Sequence, residues 1–301
     1  MRKTLAALLA ALLLPLGASA ADRIPAPVEP PEAPAVSAEG LSPLPLNVPA
    51  PYAPQGEASA DSYTDGSITV RTRVIRLFET NITVAWIEVA DPSQLRTALA
   101  APYPAKRRAT ALKQAQQNKA VFALSGDFFS YHSEGYVVRG GKLLRNKPTR
   151  KRDTLLIDGS GYFSILHPTT KAALAEQGTN VREAFAFGPW LVSGGEIHTN
   201  YRDIGLDVDP NGRHIRLVIG QRGPLSYVVF SSEGPEHRKS LGLTIRQCAL
   251  VAQALGCTEA YNLDGGSSAT LILNGRAIHS QVKKYGMRAV GDIIYFATLI
   301  P

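Results

Sequence analysis

Four dipeptides with glycine at the second position fix most of what this chain can become. Gly140-Gly141, Asp158-Gly159, Gly194-Gly195 and Asn274-Gly275 each stand between two short apolar runs, as in YVVRGGKLLR and LILNGRAIH. A tight hairpin needs positive φ at its turn, and glycine reaches that region without steric cost. Each dipeptide therefore predicts a pair of antiparallel strands. SITVRTRVIRLF and NITVAWIEVA, joined across Glu79-Thr80, predict a further hairpin, and IRLVIG with LSYVVFSS predicts another around QRGP. Three stretches read as helices instead: PSQLRTALA, RRATALKQAQQN and TIRQCALVAQALG. In the second, Ala111, Leu112, Ala115 and Gln116 recur at helical spacing. Ala120–Leu124 and Glu259–Asn262 read as short buried strands, and a last strand runs from about Val290 to Thr298. Few helices among many strands predict an α+β fold with mixed or antiparallel sheets, in one large domain over residues 62–301.

The chain begins differently. Arg2 and Lys3 precede the apolar run LAALLAALLLPLG, followed by Ala18-Ser19-Ala20. A basic start, a short apolar stretch and small residues predict a secretory signal peptide over residues 1–20, cleaved after Ala20. Its apolar run is too short for a stable membrane span, and no later segment is long and apolar enough. The expected destination is periplasmic or secreted. Residues 21–61 are dense in Pro and Ala, which favour extended backbone, and read as a semi-rigid linker outside the core. The formal charge of +7 falls to +5 without Arg2 and Lys3, a weak preference for anionic partners. Lys106-Arg107-Arg108 and Arg150-Lys151-Arg152 carry much of it and read as solvated loops, with no nucleic-acid motif beside them. Cys248 lies two turns back in the third helix, about 10 Å or more from its end, so helical geometry argues against a disulfide with Cys257.

Four stretches collect residues suited to chemistry. In YNLDGGSSATLILNG, a strand ends at Asn262-Leu263-Asp264, where side chains point into whatever crevice the loops enclose. Gly265 and Gly266 let the main chain approach a ligand, and their N–H groups with Ser267 and Ser268 suit an anionic oxygen. The plain alternative is a hairpin whose Asp264 caps its own turn. In SGDFFSYHSEGYVVRGGK, Asp127 follows a buried strand, and His132, Glu134 and Arg139 come soon after. In FAFGPWLVSGGEIH, Trp190 is either a sugar platform or a core residue. Arg216 and Arg288 each lead a strand and offer a planar fork for phosphate.

The order of these motifs resembles the phosphodiester glycosidase family, whose pattern is a strand into N-G-D/G-F-F, then G-P-x-L-x-x-x-G, R-T-A-I-G, G-L-T, a helix, and N-L-D-G-G-G-S-S/A-T-L-x-x-N-G. Here these read Ser125-Gly126-Asp127-Phe128-Phe129, Gly188-Pro189-Trp190-Leu191 through Gly194, Arg216-Leu217-Val218-Ile219-Gly220, Gly242-Leu243-Thr244, and Asn262 through Leu271 with Asn274-Gly275. The likeness covers about residues 115–298, and the last motif is the specific one. Ser125 stands where Asn is usual, Ser267 replaces a third Gly, and Leu217-Val218 replaces Thr-Ala. The change at Ser125 puts in doubt an amide that holds substrate or metal.

The resemblance implies an exported hydrolase of glycosyl phosphodiesters acting on a carbohydrate or sugar-phosphate substrate. Such a leaving phosphate is already a weak base and needs little general acid. The site must then supply a carboxylate near the anomeric carbon and donors for phosphate. Asp264 or Asp127 suits the role of nucleophile or base, with Arg216, Arg288, Ser267 and Ser268 as phosphate donors. Asn262, Gly265, Gly266, His132, Arg139 and Trp190 complete the expected substrate site. Two acids around one cation also suit Mg²⁺ or Ca²⁺. Two other functions fit the same scaffold: a non-catalytic protein of glycan binding or envelope polysaccharide assembly, and a metal-dependent phosphoesterase or depolymerase.

Overall fold

A computed structural model describes residues 23–167, 169–178, 180–201, 209–236, 239–280 and 287–301. The expected signal peptide lies outside the described residues. Strands are numbered in chain order. The largest sheet has nine, in the spatial order β1 (Glu57–Ala58), β2 (Ser62–Thr64), β3 (Ile68–Leu77), β4 (Thr80–Val89), β16 (Ser226–Ser232), β15 (Leu217–Gly223), β17 (Glu259–Leu263), β13 (Trp190–Ser193) and β14 (Glu196–Ile197). A second sheet runs β11 (Phe163–Leu166), β10 (Thr154–Asp158), β12 (Val181–Phe185), β8 (Gly135–Arg139) and β9 (Lys142–Lys147). A third runs β19 (Arg276–Ser280), β18 (Thr270–Leu273), β7 (Phe122–Ser125), β21 (Asp292–Phe296) and β5 (Leu95–Leu99). β6 (Ala109–Thr110) and β20 (Ala289–Val290) form a separate pair. The strand pairings are antiparallel, as hairpin connections require.

The glycine dipeptides turn the chain as expected in β8–β9, β13–β14 and β18–β19. The β3–β4 hairpin turns at Phe78 and Glu79, both at positive φ. Asp158 instead closes a longer loop, its Oδ1 accepting from the N–H groups of Ser160 and Tyr162.

Among the described residues three α-helices cover the sheets: α1 (Ala111–Gln117), α2 (Lys171–Glu176) and α3 (Ile245–Ala254). Thr244 and Gln247 start α3 with a reciprocal capping box, so the helix begins where the apolar pattern does. The central core lies between the three sheets and includes Tyr261, Leu263, Leu217, Phe122, Phe185 and Phe296. α3 packs on the opposite face of the nine-stranded sheet, over Val218, Phe230 and Ala260. Cys248 and Cys257 are both buried there as free thiols.

Two expectations need correction. PSQLRTALA forms only a short turn at Pro92–Gln94 and then strand β5, because Leu95–Leu99 completes an edge beside β21. Tertiary pairing overrides a helical composition. The second concerns residues 21–61. Their described part lies along the domain and does not swing free. Leu44 and Ala50 are buried against Ile293, Tyr295 and Leu299. Extended, proline-rich backbone leaves its carbonyls unpaired within the segment, and the domain supplies the donors. Arg96 donates to the carbonyls of Pro45 at 2.7 Å and Val48 at 2.8 Å. Arg73 donates to Glu29 at 2.9 Å, and the Val28 N–H reaches Ala254 at the end of α3 at 2.8 Å.

Candidate active site

Strand β17 carries the chain out of the core at Asp264. The register pairs Leu217 with Leu263 and Val218 with Asn262. Alternation then puts Tyr261 and Leu263 in the central core and Asn262 on the other face, with Asp264 following it. The turn that follows uses glycine at two places. A Cβ on Gly265 would lie 2.5 Å from the Ile215 carbonyl oxygen, and Gly266 has φ +56°. The result is a cleft of about 500 Å³ between this turn and the segment 209–216. Asp264, Asn262, Gly265, Gly266, Ser267, Ser268, Arg216 and Arg288 all line it, as the sequence reading expects.

The cleft carboxylate is tuned by its surroundings. Burial pushes the Asp264 pKa from 3.8 up to about 6, with the negative charge of Asp127 adding to the rise. A hydrogen bond from the Ser268 hydroxyl and the positive charge of Arg288 oppose it. Arg288 Nη1 donates to Ser267 Oγ at 2.9 Å at the exposed mouth. Arg216 is buried, and its guanidinium donates to the carbonyls of Leu243 at 3.0 Å, Asp209 at 3.0 Å and Gly212 at 2.8 Å. Desolvation lowers its pKa, and among the described residues no carboxylate pairs with it. Asn262 Nδ2 donates to the Gly188 carbonyl at 2.7 Å, and among the described residues its buried Oδ1 has no hydrogen-bond partner.

Of the two glycine N–H groups expected to meet an anion, that of Gly266 is committed to the turn, as is the N–H of Ser268. The Gly266 N–H is taken by Ile215 at 2.9 Å and the Ser268 N–H by Gly265 at 3.1 Å. Both donors hold the turn itself.

Asp127 has a different position from the one its motif suggests. It is 1% exposed and does not line the cleft. Its Oδ1 accepts from Arg139 Nη2 at 3.0 Å and the Phe129 N–H at 3.2 Å, and its Oδ2 from the Ala186 N–H at 2.9 Å. Arg139 in turn donates through Nε at 3.0 Å and Nη2 at 2.7 Å to Asp292 Oδ2. Burial drives the Asp292 carboxyl upward while Arg139 pulls it down. This layer behind Asp264 has two acids and one guanidinium. Arg139 is therefore a partner of buried acids and lies outside the cleft lining. The same Arg139 Nη2 thus bridges Asp127 and Asp292. Among the described residues no group of three His, Cys, Asp or Glu side chains could hold a metal ion.

Two further expected residues also lie outside the cleft lining. His132 packs edge-on against Phe128 at 5.2 Å, with Arg152 Nη2 3.3 Å from its Nε2. Trp190 stacks on His198 at 4.2 Å and packs against the central core. Ser125 is fully buried in β7 and does not line the cleft. The sequence reading missed Phe128, Phe187, Asp209, His214 and Ile215, which with Leu263 complete the lining. Ile215 precedes Arg216, and the turn signal Asp209-Pro210-Asn211-Gly212 marks the loop that Arg216 holds. Nothing local to Phe187 signals its place.

The sequence model of the family described as phosphodiester glycosidase matches residues 118–297. A SPbeta prophage-derived uncharacterized protein, YomE, of Bacillus subtilis (strain 168) is 25% identical over 178 residues. That match spans 58% of this chain and only 27% of the relative. Among solved structures, the catalytic domain of zebrafish N-acetylglucosamine-1-phosphodiester alpha-N-acetylglucosaminidase, auto-inhibited by its pro-peptide, superposes with a TM-score of 0.60 at 18% identity. The match covers 77% of this chain and 83% of that one. A hypothetical protein from Synechocystis gives 0.57 at 16% identity, over 76% of this chain and 62% of its own. At these identities the two structures speak to the fold.

Proposed function

The chain belongs to the phosphodiester glycosidase family, and from that premise we propose that it hydrolyses the bond between a sugar's anomeric carbon and a phosphodiester oxygen in an exported or envelope glycan. The observation that carries the reading is the composition of the cleft. One tuned carboxylate, Asp264, shares it with a buried guanidinium that lacks a carboxylate partner and with the Ser267–Arg288 pair at the mouth.

The chemistry follows from those groups. The ionised Asp264 takes a proton from a water molecule as that water attacks the anomeric carbon. The bond from that carbon to the phosphate oxygen breaks, and its electron pair leaves with the phosphate. The products are a free sugar and a phosphomonoester. Arg288 and Ser267 meet the charge that gathers on the departing oxygens, and Arg216 adds positive potential from the floor. Asn262 Oδ1 accepts a hydrogen bond from a hydroxyl or amide N–H of the bound sugar, which answers its buried, unpaired state. Asp127 and Arg139 act through position and field, behind the reacting groups. Among the described residues no helix is long and apolar enough to cross a membrane. Export rests on the segment 1–20.

Product analysis on a panel of sugar 1-phosphodiesters tests the reading. Native protein should release a reducing sugar and an intact phosphomonoester, with inverted configuration at the released carbon. The Asp264→Asn variant should release neither. Full turnover by Asp264→Asn, or inorganic phosphate as the first product, overturns it.

A further inference from the structure

The cleft mouth continues into a cationic rim that hydrolysis of a single phosphodiester does not use. Phe128 lines the cleft at φ +67°, a backbone region that bulky residues seldom adopt. Tyr131 lies flat on its ring, with centroids 3.8 Å apart and planes 10° from parallel. Tyr131 is 36% exposed and carries two guanidinium groups. Arg108 stands 3.8 Å from its ring centre and donates to its hydroxyl, and Arg288 stands 5.8 Å from the same centre. The two cations therefore sit within about 10 Å of each other, comparable to the ~8–10 Å screening length at physiological salt. Like charges held that close on the surface repel. Among the described residues no carboxylate forms an ion pair with either. Lys106 and Arg107, both exposed, precede Arg108 in the chain.

We propose that Arg108, with Tyr131 as its shelf, is a second anion site that receives the next charged group of the leaving chain. Ser267 and Arg288 then hold the phosphate that departs, while Arg108 holds an anion one repeat further on. The substrate class follows: a polyanionic glycan with repeating phosphodiesters, trimmed at a sugar end, in preference to an isolated sugar phosphodiester. This rests on the function proposed above, and the test separates the two.

Binding is measured by calorimetry on Asp264→Asn, which holds substrate without turning it over, with a monomer capped as its methyl phosphodiester and a tetramer of a poly(glycosyl phosphate) as probes. The tetramer should bind at least about tenfold more tightly than the monomer, with a steeper salt dependence. Arg108→Gln, made in the same background, should remove about five- to tenfold of the tetramer affinity and leave the monomer unchanged. Tyr131→Leu, which removes the shelf and keeps the charge, should reproduce part of that loss. Equal binding of monomer and tetramer overturns the second site. So does an equal loss for both ligands in Arg108→Gln, or Arg108-dependent binding of anionic lipid vesicles that the tetramer fails to displace. Hydrolysis of the monomer by the native protein reads the cleft alone, so a failed rim with an active cleft is recognisable.

Discussion

Replacing Asp264 by Asn should stabilise the protein while abolishing turnover. The carboxyl titrates near 3.8 when the chain is unfolded and at about 6 in the cleft. Its folded pKa is raised, so the folded state holds the proton more tightly. Below about pH 4 the group is protonated in both states and contributes no difference. As pH rises from about 4 to about 6, the unfolded chain ionises first and stability falls. Above that the penalty is complete. A gap of about two pH units corresponds to about 3 kcal/mol at most. The amide is uncharged at every pH, and its oxygen still accepts from Ser268. The variant should therefore match the native protein at pH 4 and exceed it at pH 7 by up to about 3 kcal/mol. For a domain of this size that is a rise in melting temperature of about 6–12 °C. Calorimetric melting of both proteins from pH 4 to 8 reads the effect. A constant difference across that range, or a variant less stable at neutral pH, refutes the argument that burial of this acid is what tunes it.

Other consequences are equally direct. The acid limb of kcat/KM should rise as Asp264 ionises near pH 6, and Asp127→Asn should move that limb to lower pH by removing a nearby negative charge. An unmoved limb would show that the buried layer does not act on the cleft. Arg216→Met leaves the carbonyls of Leu243, Asp209 and Gly212 without donors, and should cost about 2–4 kcal/mol in denaturant unfolding together with most substrate affinity. Gly265→Ala pushes a methyl group to 2.5 Å from Ile215 oxygen, so kcat should collapse with about 1–3 kcal/mol of stability lost. Both thiols are buried, and burial pushes their pKa values up to about 12, so a thiol reagent should label neither cysteine in native protein and both after unfolding.

What was legible in the sequence was local. Hairpin turns declare themselves because positive φ selects glycine or asparagine, and Asp264 declares itself because a strand ends there in a run of small residues. What escaped depends on partners far along the chain. Asp292 sits in the apolar run DIIYFAT and reads as a strand end, yet it is held by Arg139, 153 residues away. The same guanidinium turns Asp127 from an apparent catalytic acid into a buried counter-ion. PSQLRTALA reads as a helix because nothing in it reveals the edge of β21 that pairs with it. The cleft itself was found through its turn, while Phe187 and His214 arrive from loops whose destination no local pattern encodes.

The proline-rich segment before the domain has a practical meaning for anyone who trims this protein. A version starting at Ser62 would strip the acceptors from Arg73 and Arg96 and open a hollow where Leu44 and Ala50 now sit. Contacts with the domain thus begin well upstream of the first long strand. The segment works as a clasp fastened at several points, so a shortened protein would melt earlier although every cleft residue remained in place.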